Sequence, residues 1–247
     1  VEGRKGSLGS YYSVRDYCAV DPCLGTMEDF DAFVVEAHRL GMKVLLDWIA
    51  NHTARDARWV TEKPASWYER DASGAPAVPW DWTDTAKLNY AEREVWRAQG
   101  DAMEFWVREH GVDGFRCDMA MLVPIEFWNE TAQRLRRVKP DLFMLAEAEE
   151  TYLFDGGAFD ACYAWEMHHL MNDVAQQRVR VTSLRDYIYA DRRRYPRSAM
   201  RLAFTSNHDE NSWNGSEFAR MGAAREIMAV FTFVVPRGLP LIYTGQE

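Results

Sequence analysis

An α/β protein of the (β/α)-barrel type is what this sequence predicts, on three observations. Four short apolar runs each end in polar, chemically useful residues: Val44-Leu45-Leu46 at Asp47, Gly114-Phe115 at Arg116 and Asp118, Leu142 to Ala146 at Glu147, and Phe204-Thr205-Ser206 at Asn207-His208-Asp209. Segments with helical spacing separate these runs. The runs show no apolar/polar alternation, which suits parallel strands covered on both faces. Polar clusters at the C-terminal ends of successive strands are how a barrel active site reads in one dimension.

Taken in order, residues 1 to 25, with Gly3, Gly6, Gly9, Pro22 and Gly25, read as an extended loop. Thr26 is an N-cap with Asp29 three residues on. Met27, Phe30, Phe33, Val34, Ala37 and Leu40 keep helical spacing, and Gly41 closes the helix. Val44 to Leu46 follows as a buried strand. Residues 53–90 then break the rhythm with Pro64, Gly74, Pro76 and Pro79 among Trp59, Trp67, Tyr68, Trp80, Trp82 and Tyr90, a length that needs a function or a fold of its own. A helix is expected over 91–110, a strand over 113–118, and a helix from Pro124 at its first position to about Val138, before Lys139-Pro140. Beyond the strand ending at Glu147 we expect a short strand over 159–164 and helices over 166–177 and 183–194. The chain then closes with a strand over 201–206, a helix over 217–233 and a last strand over 239–243. The arginine-rich stretch from Arg178 to Arg201 reads as a solvated outer face.

A chain of 247 residues, 47% of them hydrophobic, is long enough for one barrel domain with a full core. A net charge of −9 and a pI near 5.3 argue against nucleic-acid or anionic-membrane partners, which favour a basic face. No run approaches the roughly 20 apolar residues of a membrane span, and residues 1 to 20 lack a signal-peptide core, so the compartment leans cytoplasmic. Val rather than Met at position 1 leaves room for a removed leader or upstream domain. Cys18, Cys23, Cys117 and Cys162 lack metal-site spacing and read as free thiols. No zinc-protease, phosphate-loop or serine-hydrolase motif is present.

Arg116 and Asp118 are two residues apart on a predicted strand and so share one face. A guanidinium there keeps the carboxylate ionised and aims it, as a nucleophile or an electrostatic stabiliser requires. Such a pair is also a common structural ion pair, and the other three polar clusters tip the reading towards chemistry.

The motifs Asp47-Trp48-Ile49-Ala50-Asn51-His52, Gly114-Phe115-Arg116-Cys117-Asp118, Glu147 after an apolar strand, and Asn207-His208-Asp209, in that order, resemble the α-amylase family of retaining glycoside hydrolases, glycoside hydrolase family 13. Asp16-Tyr17, Gly25-Thr26 and Gly238 to Glu247 agree, so the resemblance covers the whole chain. It implies Asp118 as nucleophile, Glu147 as acid and then base, and Asp209 as the carboxylate that binds sugar hydroxyls and tightens in the transition state. Glu149 and Glu150 compete with Glu147 but lie beyond the strand end. Arg116, His52, His208 and Tyr12 are implied as substrate-contacting residues, with Asp47 and Asn51 organising the site. An oligo- or polysaccharide, of starch or maltodextrin type, is the implied substrate, and residues 53–90 the implied short wall of its cleft.

In the family's register the chain carries about strands 3 to 8 of a (β/α)8 TIM barrel, a partial barrel lacking two strands and the C-terminal domain. Many members place a Lys-His pair shortly after the nucleophile, which helps bind sugar and a structural calcium. Met119, Ala120, Met121 and Leu122 stand there, and the one amide oxygen of Asn51 does not make a site of roughly six to eight oxygens, so no cofactor is expected and no calcium at that position. The competing readings are a transglycosylase using the same intermediate and a non-catalytic amylase-like binding or scaffold protein. Linkage, chain length and oligomeric state are not legible.

Overall fold

The computed structural model describes residues 9–247; the first eight residues of the loop expected over residues 1 to 25 lie outside them. The chain divides into two compact units, one up to Met144 and one from Leu145 to Glu247.

The first unit begins with helix α1 (Met27–Arg39), capped as its sequence predicts. The Thr26 hydroxyl accepts from the Asp29 N–H at 3.2 Å, and the Asp29 carboxylate accepts from the Thr26 N–H at 2.9 Å. Val34 and Ala37 are buried against Val44, but Phe33 and Leu40, read as part of the same apolar face, stand exposed. Strand β1 (Leu45–Trp48) leads into β2 (His52–Ala54) and the short helix α2 (Arg58–Glu62). The stretch over 53–90 has a fold of its own. Strand β2 pairs antiparallel with β3 (Thr85–Lys87), and Trp67, Tyr68, Ala86, Leu88 and Val95 form its core.

Helices α3 (Arg93–Glu109) and α4 (Ile125–Val138) flank strand β4 (Gly114–Cys117), whose four residues are all buried. Pro124 is the N-cap of α4 rather than its first residue, one position from the expectation. Strand β4 runs parallel to β1 with Asp47 opposite Arg116. Gly114 is required by contact: a Cβ there would lie 2.0 Å from the Phe143 carbonyl oxygen. At the foot of β4, Asp113 is buried and accepts from His38 Nε2 at 2.7 Å, Lys43 at 3.0 Å, Lys139 at 2.8 Å and the Val44 N–H at 2.9 Å.

The chain passes into the second unit through β5 (Phe143–Ala146). There follow β6 (Ala161–Tyr163), α5 (Trp165–Ala175), α6 (Thr182–Arg194) and β7 (Met200–Ala203). Then come α7 (His208–Trp213), α8 (Glu217–Met221), α9 (Arg225–Val234) and β8 (Gly238–Pro240). Met167, Met171, Leu184, Tyr187, Met221 and Met228 form this unit's core.

Two expectations are corrected here and one helix is added. The helix expected over 217–233 is broken at Gly222, whose φ of +52° is left-handed and ends the α8 turn. Helix α7 lies between the strand and the helix expected there, in a stretch to which the sequence assigns no element. Its N-cap is Asn207, whose side chain accepts from the Glu210 N–H at 2.8 Å. Arg201 is buried rather than solvated and pairs with Glu149 at 2.6 Å and Asp191 at 3.0 Å, while Arg178, Arg180, Arg185 and Arg192 to Arg194 are exposed.

The main sheet has the strand order β1-β4-β5-β6-β7-β8, with β2-β3 a second sheet. It is the parallel α/β sheet predicted, with six strands among the described residues against the eight of a closed barrel.

Candidate active site

In the first unit, the ends of β1 and β4 carry one guanidinium between two carboxylates. Arg116 Nη1 donates to Asp47 Oδ1 at 2.8 Å and to Asp118 Oδ1 at 2.9 Å. The shared face follows from the two-residue spacing. The Asp118 N–H bonds the Trp48 carbonyl at 3.0 Å, extending the β1/β4 ladder by one residue and setting where that carboxylate points. The Arg116 and Asp118 side chains are about nine-tenths buried, and Asp47 is more open. Immediately after Asp118 the chain turns through Met119 in a left-handed conformation, φ 42°, a strained geometry of the kind that collects at functional sites.

Tyr12 leans over this cluster. Its hydroxyl donates to Asp47 Oδ2 at 3.1 Å. Burial, and then the Asp47 charge, raise the phenol far above its ordinary value, so it acts as a donor. His52 is buried, and both ring nitrogens are engaged. The Asn51 amide donates to Nδ1 at 3.2 Å, and Nε2 donates to the Tyr12 carbonyl at 3.0 Å. Burial pulls the His52 pKa down to about 4, so the ring is neutral at physiological pH. To donate to a ligand, His52 has to release the Tyr12 carbonyl.

The turn that carries Asn51 and His52 is locked by residues to which the sequence reading assigned no role. The Tyr17 hydroxyl lies 2.6 Å from the Ile49 carbonyl oxygen and 2.8 Å from that of His52. Tyr90 donates to the Ala50 carbonyl at 2.8 Å, and the Leu88 N–H to that of Asn51 at 3.0 Å. Three donors thus face four consecutive carbonyls, the single Tyr17 proton serving Ile49 or His52, and the turn cannot shift without breaking several bonds. In the sequence Tyr17 reads only as part of a loop and of a flanking motif, and Tyr90 as one of the aromatics over 53–90; which carbonyl each reaches is not local information.

Among the described residues, no group of three or more His, Cys, Asp or Glu side chains is disposed to hold a metal ion. Met119 to Leu122 bring no side-chain oxygen, and the single amide oxygen of Asn51 falls short of the roughly six to eight oxygens of a calcium site, so these side chains alone do not make an oxygen cage.

In the second unit, Glu147 follows β5 and is buried. Glu149, its nearest competitor, is already committed. Its carboxylate takes the Arg201 guanidinium at 2.6 Å and the Glu166 N–H at 2.8 Å, and its carbonyl takes the Tyr195 hydroxyl. The Glu149 pKa is raised by burial. At the start of α7, His208 Nε2 lies 3.4 Å from Asp209 Oδ2, and both side chains are more than a third exposed. Glu210 faces inward to His168 at 3.1 Å and to Arg220. Of two adjacent acids, Asp209 is the one left open to a ligand.

The family model described as "Alpha amylase, catalytic domain" matches residues 7–83 and 65–247. The chain belongs to the α-amylase catalytic-domain family. It is 30% identical over 245 residues to an alpha-amylase, MalA, of Haloarcula japonica, covering 96% of this chain and 36% of that protein. Among solved structures it is similar to an alpha-amylase from Lactobacillus plantarum, with 34% identity and a TM-score of 0.90, covering all of this chain and 61% of that one. It is also similar to a maltogenic alpha-amylase, AmyB, from Thermotoga neapolitana, with 35% identity and a TM-score of 0.88, covering 56% of that chain. The chain thus spans between about a third and three-fifths of these amylases. No described helix is long and apolar enough to cross a membrane.

Proposed function

We propose that the protein is a retaining α-glycoside hydrolase acting on α-glucans of starch or maltodextrin type. The observation that carries this reading is the Asp47–Arg116–Asp118 cluster in a chain of the α-amylase catalytic-domain family: one buried guanidinium aims Asp118 while Tyr12 closes over it. Asp118 attacks the anomeric carbon, and Glu147 protonates the departing glycosidic oxygen, giving a covalent glycosyl-enzyme. Glu147 then takes a proton from water, which displaces Asp118 with net retention. Retention by this route requires the two carboxyl groups about 5–5.5 Å apart.

In the same reading Asp209 binds sugar hydroxyls, with contacts that tighten as the oxocarbenium charge develops, and His52 and His208 contact the same sugar. Asp47 and Asn51 organise the site, residues 53–90 wall the cleft, and no metal takes part in a step. All three acidic residues are present, which argues against a non-catalytic scaffold.

The test is proton NMR of maltoheptaose incubated with the protein, beside Asp118→Asn. We expect fresh α-anomer from the native protein and a rate lower by at least about 10³-fold in the variant. Fresh β-anomer, or a fully active Asp118→Asn protein, would refute the mechanism. Products longer than the substrate would identify a transglycosylase, with a sugar hydroxyl replacing water.

A further inference from the structure

The tryptophans of the segment over 53–90 do not share one role. Trp67 is buried in the segment's core, with Trp59 packed on it at 5.4 Å between ring centroids. Trp80 is 64% exposed, and its φ of 49° is left-handed. A bulky residue held there is strained, at a cost in stability. An exposed indole returns little burial to offset that cost, so core packing does not explain it.

The ring is nevertheless aimed. Pro79 before it is buried, and the Trp82 N–H bonds the Pro79 carbonyl at 3.1 Å, closing a tight turn with Trp80 at its tip. The Trp80 ring lies 4.7 Å from that of Trp82, and Trp82 lies 5.3 Å from His52. His52 bonds the Tyr12 carbonyl, and the Tyr12 hydroxyl reaches Asp47. Ring contacts as far as His52, and then hydrogen bonds through Tyr12, therefore link an exposed indole to the Asp47–Arg116–Asp118 cluster.

We infer that Trp80 is a stacking platform for an outer sugar ring of the bound glucan and sets the preference for longer chains. The inference rests on the α-glucan reading of the Asp118 site. A pyranose presents a face of C–H groups that packs flat on an indole. Because the turn is already set, little ordering entropy is lost on binding. Covering roughly 50 Å² of apolar ring surface is worth about a tenfold change in affinity.

The experiment compares kcat/KM for maltoheptaose and maltotriose in the native protein and in Trp80→Ala, Trp80→Phe and Trp80→Gly. We expect the maltoheptaose-to-maltotriose ratio to fall about tenfold in the Ala and Gly variants, and Trp80→Phe to retain most of it. Glycine accepts the left-handed turn freely, so Trp80→Gly should keep or raise the thermal midpoint while losing the ratio. An unchanged ratio, or a Trp80→Gly protein with a lowered midpoint and equal losses on both substrates, overturns the inference and leaves the α-glucan reading standing. A native protein that neither binds nor cleaves either oligosaccharide overturns both.

Discussion

Arg116 decides how the first-unit cluster works, because a planar guanidinium can serve two carboxylates from one nitrogen and hold both in register. The neutral His52 beside it has a consequence for stability. Its folded pKa, about 4, lies below the ordinary 6.5, so the unfolded chain takes up the proton first. The stability His52 contributes is therefore complete above about pH 6.5 and is lost as the pH falls towards 4, an effect of roughly 2–3 kcal/mol. His168, whose pKa is also lowered by burial, adds a slope of the same sign, so the informative quantity is a difference between two proteins. Urea midpoints of the native protein and His52→Gln, measured from about pH 7.5 down to about pH 4.5, should converge as the pH falls. Parallel profiles would mean that the ring is solvated.

At the scale of elements, β4 is held at its foot as firmly as it is functionalised at its tip. Burial opposes ionisation of Asp113, but hydrogen bonds from Lys139, the Val44 N–H, His38 and Lys43 outweigh it and hold the carboxyl well below the usual carboxylate range. Stability from this group is present above that range and lost as acid titrates it. Asp113→Asn should cost about 2–4 kcal/mol by urea unfolding near neutral pH. A change within experimental error would show that the lysines only decorate the surface. One residue on, Gly114→Ala would press a methyl group into the Phe143 carbonyl, forcing β4 and the start of β5 apart. We expect a loss of more than about 3 kcal/mol, or failure to fold, read by circular dichroism. A native-like melt would show that the strands can slide. The hydrophobic periodicity located both strands. It gave no warning that the helix expected over 217–233 breaks, because Gly222 inside an apolar helical pattern is tolerated as often as it ends one.

For the molecule as a whole, the exposed apolar surface of α6 and α9 outweighs any single ion pair. Val181, Tyr189, Ile227, Val230, Phe233 and Val234 are all more than half exposed, and a groove of about 530 Å³ lies between the two helices. A patch of this kind promotes association, against which a net charge of −9 gives only general repulsion. Sedimentation velocity at low and high micromolar concentration should show self-association, reduced by the double variant Ile227→Lys, Val234→Lys. Identical profiles for the two proteins would exonerate the patch.

The parallel α/β sheet, the placement of Asp47, Arg116, Asp118 and Glu147 at or just past strand ends, and the family were legible in the sequence, whereas His208 and Asp209 sit in the first turn of α7 and not at a strand end. A strand's pattern is written in its own few residues, and the four polar motifs follow one another along the chain. Helix α1 was legible to the residue at its cap, because Thr26 and Asp29 are neighbours in sequence and complete a closed set of bonds between themselves. Only the tertiary structure decided the rest: that Arg201 is a buried clamp on Glu149 rather than one more surface arginine, that Asn207 starts a helix, that Tyr17 and Tyr90 lock the His52 turn, and that Trp80 alone of its neighbours stands strained and exposed. Each depends on partners brought together from distant parts of the chain, or on a backbone conformation imposed by its surroundings. Spacing along a sequence records neither.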